Sequence, residues 1–105
     1  KTASLIWDNL PIKSTIETWG QEIYFYVLFQ CPKEKDSKNI INLGEIAYWP
    51  DGKAIAVGFG PTPISKGDEI KLAAECNIWA DTDYNLKSLK NVRSGEEVTL
   101  EKLNE

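Results

Sequence analysis

Glu45-Ile-Ala-Tyr-Trp-Pro-Asp-Gly-Lys-Ala-Ile-Ala-Val-Gly-Phe-Gly60 decides the fold. Two apolar runs, Glu45 to Trp49 and Lys53 to Gly60, flank Pro50-Asp51-Gly52. Proline presets its own φ and glycine accepts a positive one, so the tripeptide predicts a turn and the whole stretch a β-hairpin. In the second run Ile55, Val57 and Phe59 alternate with Ala54, Ala56 and Gly58. Successive side chains of a strand point to opposite faces, so one face of this strand is unusually bare.

The same period of two recurs upstream. Ile23, Phe25 and Val27 share one side of a strand, and Glu22, Tyr24 and Tyr26 share the other. The β-branched stretch Ile12 to Thr18 is placed to pair with it through a turn at Trp19-Gly20-Gln21. Downstream, Gly60-Pro61-Thr62-Pro63 breaks the ladder, because proline has no N–H to donate. Ile70 to Leu72 and Asn77 to Trp79 read as two further short strands, and Val98 to Leu103 as the last. Pro32 to Asn39 is polar after its proline and reads as a solvated loop.

Helical spacing is confined to two places. Leu5, Ile6, Asn9 and Leu10 fall on one face of a short helix that Thr2 is placed to cap and Pro11 to end. A second short helix carries Leu86 and Leu89, with Asp81 or Asp83 as its cap and Gly95 near its end. Six or seven short strands and two short helices predict a mainly antiparallel sheet, closed or nearly so.

Composition bounds the function. At 105 residues and 42% hydrophobic content the chain has material for one compact core, a single domain over 1–105. The longest apolar run, Ile23 to Phe29, is far short of the roughly 20 residues a membrane helix needs. A net charge of -4 argues against a general nucleic-acid partner, and the scattered lysines argue against a membrane patch. The absence of histidine removes the commonest proton shuttle and every Ser-His or Cys-His arrangement within this chain. Cys31 and Cys76 are too few for a four-cysteine zinc site and read as free thiols, with a single bridge between them as the alternative. With no secretory feature visible, a cytoplasmic location is expected, and neither a metal nor a cofactor is.

Three phrases carry a resemblance: Trp19-Gly-Gln-Glu-Ile-Tyr-Phe25, Gly44-Glu-Ile-Ala-Tyr-Trp-Pro50 and Phe59-Gly-Pro-Thr-Pro63. Together they make the chain resemble a family of small archaeal and bacterial proteins with a cyclophilin-like β-barrel. The resemblance implies a mainly β fold, a closed antiparallel barrel of eight strands with two short capping helices. Family members usually begin with a strand ahead of the first helix, whereas this sequence starts at that helix. The natural protein is therefore expected to be longer at its N-terminus.

The isomerase chemistry of true cyclophilins does not carry over. Their signature is Phe-His-Arg with a phenylalanine five positions on, and here there is no histidine while the sole arginine, Arg93, matches no catalytic position. No catalytic residue is assigned. The constellation with binding character is Trp49, Pro50, Phe59, Pro61, Thr62 and Pro63, with Tyr24 and Glu22 as neighbours. The bare strand face leaves room for a ring, and stiff aromatic and proline surfaces suit an extended peptide or a flat small molecule. Core packing of Trp49 over the small residues is the competing reading. The expected function is a non-enzymatic module that binds a peptide or small ligand through this aromatic and proline rim. The alternatives are a weak peptidyl-prolyl isomerase and a structural or assembly subunit, the latter including a homo-oligomer.

Overall fold

A computed structural model of the chain describes residues 1–103. The elements run α1 (Thr2–Asp8), β1 (Ile12–Thr15), β2 (Glu17–Thr18), β3 (Glu22–Tyr26), β4 (Lys38–Ile41), β5 (Glu45–Trp49), β6 (Ala54–Gly58) and β7 (Ile70–Asp81), followed by a 3-10 helix (Leu86–Asn91) and β8 (Glu97–Leu100). All strand pairs are antiparallel. Six strands form one sheet in the order β2-β3-β6-β5-β7-β4, and β1 pairs with β8 in a second. Ile16 joins the two sheets. It exchanges 2.8 Å backbone hydrogen bonds with Glu96 and Gly95, which carry the β1–β8 ladder up to the start of β2. Among the described residues no ladder joins β8 to β4, so the hydrogen-bonded sheets stay open where a closed barrel was expected.

The central hairpin, β5 and β6, is where the alternation placed it. Its turn works differently from the expectation. The positive φ falls on Lys53 (52°), not on Gly52. A Cβ on Gly52 would run into the indole of Trp49, so this glycine is needed for room rather than for its backbone angle.

Other boundaries shift for physical reasons. The two strand candidates after residue 70 are one strand, β7, of 12 residues. Its first part pairs with β4 and its last part with β5. The β4 register jumps from Lys38↔Cys76 to Ile40↔Lys71, so the segment from Leu72 to Glu75 bulges out of the ladder. β4 takes Lys38 and Asn39 from the expected loop. The last strand ends at Leu100. The stretch from residue 12 to 18 splits, since β1 pairs with β8 and only Glu17 and Thr18 pair with β3.

Neither expected helix cap forms. Lys1 stands at the cap position of α1, and Thr2 lies inside the helix with its hydroxyl turned into the core. Thr2 Oγ1 donates to Glu34 Oε2 at 2.6 Å and accepts from Asn77 Nδ2 at 3.0 Å. Asn77 also donates to Pro32 O at 3.0 Å and accepts from Glu34 N–H at 2.8 Å. A buried polar group must find partners, and this cluster ties α1 and the polar 32–39 segment onto β7. Asn85, not Asp81 or Asp83, precedes the second helix, and Asp81 is the last residue of β7.

The six-stranded sheet is covered on both faces. Ile6, Ile12, Phe25, Val27, Cys31, Tyr48 and Ile55 pack beneath α1. Ile16, Ile23, Phe59 and Leu86 form a smaller cluster beside the 3-10 helix. A third cluster, Ile41, Ala47, Ala56, Ile70, Leu72 and Cys76, packs with half-buried Tyr24, Trp49 and Ile78. Among the described residues no helix is long and apolar enough to cross a membrane.

Candidate functional site

Register sets the site. Across β3 and β6, Glu22 faces Gly58, Tyr24 faces Ala56 and Tyr26 faces Ala54. Across β5 and β6, Ala47 faces Ala56 and Trp49 faces Ala54. Directly opposed residues point to the same side of a sheet, so Glu22, Tyr24 and Trp49 share the face on which β6 offers only small residues.

A cavity of about 270 Å³ opens above that face. Trp19, Glu22, Tyr24 and Trp49 line it from the sheet side and the preceding turn, with Ala56 as floor. The bulged segment of β7 supplies the opposite wall through Leu72, Ala73, Ala74 and Cys76. Three aromatic side chains and mostly apolar neighbours thus surround one carboxyl group.

That carboxyl is unusual. Glu22 is only 6% exposed, and its Oε1 is shielded from solvent without a hydrogen-bond partner. The indole Nε1 of Trp49 is buried and equally unpartnered. Burial disfavours the charged form and pushes the Glu22 carboxyl from its ordinary 4.5 up to about 7. Burial likewise raises the Tyr24 phenol, with the neighbouring Tyr26, Glu17 and Glu22 adding to the shift. The Cys76 thiol is pushed up to about 12, mainly by burial and secondarily by Glu22. It is a neutral wall residue and not a nucleophile. Among the described residues no lysine or arginine lines the cavity.

The residues singled out from sequence divide between places. Glu22, Tyr24 and Trp49 meet at this cavity. Pro50 is buried at the head of the hairpin turn. Phe59 belongs to the core beside the 3-10 helix. With Pro61 it borders a separate cavity of about 400 Å³, whose walls include Ile40, Leu43, Ile70 and Lys87. Thr62 is buried and spent on structure, since its N–H donates to Ser65 Oγ at 2.9 Å and its hydroxyl to the Lys71 carbonyl. Pro63 is exposed and sits against Gly20, whose φ is 61°. The aromatic and proline residues therefore do not form one continuous rim.

Trp19, Leu72, Ala73, Ala74 and Cys76 also line the first cavity, and sequence reasoning did not find them. Trp19 looked like a turn residue. The Ala73-Ala74 pair lay in a gap between two supposed strands, and only its small size hinted that something stands over it. Cys31 and Cys76 are both free and buried.

A mainly β, two-sheet domain with one carboxyl set in an aromatic cavity is what the geometry defines. The chain matches the Cyclophilin-like family over residues 1–101, and it belongs to that family. Among solved structures it is similar to a hypothetical protein of Archaeoglobus fulgidus determined in solution. The two are 43% identical with a TM-score of 0.82, and the match covers 97% of this chain and 77% of that one. Comparison with curated proteins gives no match.

Proposed function

We propose that this domain is a small-ligand-binding module and that its site is the cavity between Trp19, Tyr24, Trp49 and the β7 bulge. The observation that carries the reading is Glu22, a buried carboxyl whose Oε1 has no partner, in the lining of an otherwise apolar space. An unpaired buried polar group costs about 1–3 kcal/mol, a penalty that a ligand donor would remove. Carboxyls perturbed by burial and set in a cleft cluster at functional sites. The volume of about 270 Å³ lies just under the usual range of about 300–1,000 Å³ for ligand cavities. It suits a compact ring or head group better than a length of peptide.

Binding, not catalysis, is the reading because, among the described residues, no nucleophile, metal cluster or second acid accompanies Glu22 in the cavity lining. The test is a fragment titration with indole, benzamide and benzylamine at millimolar concentration, followed by NMR. Shifts concentrated at the Trp19 and Trp49 indole signals and at the Glu22–Tyr24 and Leu72–Cys76 amides are expected. Shifts at the Phe59–Pro61 cavity instead would move the site there, and no shifts at all would overturn the proposal.

A further inference from the structure

We propose that the ligand of this cavity is an organic cation, a methylated or otherwise alkylated ammonium group, caged by Trp19, Tyr24 and Trp49 and neutralised by Glu22. The inference rests on the cavity being a ligand site and goes on to name the chemistry that the site selects.

Three observations point the same way. First, the aromatic share of the lining is high for so small a space, with two indoles and one phenol ring around it. Aromatic faces carry negative potential and attract a cation within about 6 Å of the ring centroid, most strongly when water is excluded. Second, the charge-bearing side chains are asymmetric. Glu22 lines the cavity, and among the described residues no lysine or arginine does. The other titratable groups on the walls, Tyr24 and Cys76, are both held neutral at physiological pH. A bound cation would compensate the charge of the buried carboxylate, which no side chain named in the lining does. Third, the remaining wall is Leu72, Ala73, Ala74 and Ala56. These residues supply methyl contacts and no donors or acceptors from side chains, which fits N-methyl or N-alkyl groups better than a heavily hydrated ammonium.

The arrangement also predicts how affinity depends on pH. Glu22 must lose its proton to act as counter-ion, so a cation binds more tightly as pH rises through the neutral range where the carboxyl titrates. Tyr24 on β3 and Cys76 on β7 stay protonated over that range, and Glu17, opposite Tyr24 on β2, is the other acid on this face. A neutral ligand of the same shape has no reason to follow this trend.

The test uses choline and dimethylbutanol, its uncharged carbon isostere, titrated against the intact protein with the Trp19 and Trp49 indole signals as readout. Choline is expected to bind about tenfold or more tightly than the isostere. Its affinity should rise with pH, and Glu22→Gln should erase both the preference and the pH trend while the thermal melt shows a folded protein. A peptide bearing trimethyllysine that bound more tightly than choline would also support the inference and would place the head group on a protein tail rather than a free metabolite. Equal binding of choline and isostere, unchanged in Glu22→Gln, would overturn the cation while leaving the cavity a ligand site. No response to any of the three probes, with fragments also silent, would remove the ligand site and the inference together.

Discussion

Glu22→Gln should change how stability depends on pH, and the sign follows from the direction of its shift. The carboxyl titrates near 7 in the fold against an ordinary 4.5. Between those values the folded chain holds a proton that the unfolded chain has released. Raising the pH therefore favours unfolding: the native state is unpenalised below about 4.5, and the penalty is complete above about 7. The full gap corresponds to about 3 kcal/mol at 1.36 kcal/mol per unit. Relaxation and water entry around a buried carboxylate lower this, so the wild type should lose about 2–3 kcal/mol between about pH 5 and pH 8. In a domain of this size that is a fall of about 10 °C in Tm. Glu34 and Glu45 shift the opposite way, held below the ordinary value chiefly by hydrogen bonds from Thr2 and from the Asn42 N–H respectively. Their stabilisation is present at neutral pH and lost in acid, and it cancels when wild type and variant are compared. The assay is urea unfolding followed by tryptophan fluorescence at a series of pH values. Glutamine leaves a neutral amide in the same place, which adds a constant but no slope. Parallel curves for the two proteins would refute the reasoning, because they would mean that Glu22 is solvated or paired in solution.

Two other outcomes follow from close packing. Gly52→Ala should displace the Trp49 indole, since its Cβ would meet that ring while the backbone there is ordinary. A loss of about 1–3 kcal/mol and a shifted tryptophan emission are expected, with weakened binding at the cavity; an unchanged emission spectrum would count against the contact. Asn77→Ala removes the amide that holds Thr2, Pro32 and Glu34 together. It should cost about 2–4 kcal/mol in urea unfolding and speed amide exchange in α1 before the central hairpin, whereas uniform exchange would show that α1 is not held by this cluster.

What could be read from the chain was local. The β5–β6 hairpin and β3 are set by alternation, a property of neighbouring residues, and they stand where the pattern put them. Errors came where a distant partner decides. Thr2 has the chemistry of a helix cap, but a buried asparagine 75 positions away draws its hydroxyl inward. The strand β7 looked like two because Ala73-Ala74-Glu75 breaks the alternation, and only pairing with both β4 and β5 makes it continuous. The candidate site was half legible for the same reason. Glu22, Tyr24 and Trp49 lie on strands whose facing is fixed by period two, whereas the opposite wall is a bulge whose existence depends on a register jump. No pattern within one segment encodes that jump.

The small residues themselves separate packing from cavity. Three glycines at or near β6 have an occupant. The place of a side chain at Gly52 is taken by the Trp49 indole, at Gly58 by Ile70 and at Gly60 by Gln21. Each is a socket for a neighbouring side chain, and packing alone explains it. Ala56 is different. Its strand neighbours across the sheet are Tyr24 and Ala47, and it is both part of the buried cluster with Tyr24 and Trp49 and part of the cavity lining. A well-packed interior leaves few voids larger than a water molecule, whereas this cavity opens at the surface. This one carries an ionisable group with an unsatisfied oxygen. Filling the space from within the chain would take only a larger side chain at Ala56 or an apolar one at Glu22, changes of the kind that stabilise proteins at some cost in function. A floor of small residues beside an unpaired acid is therefore the combination on which the proposed ligand site rests.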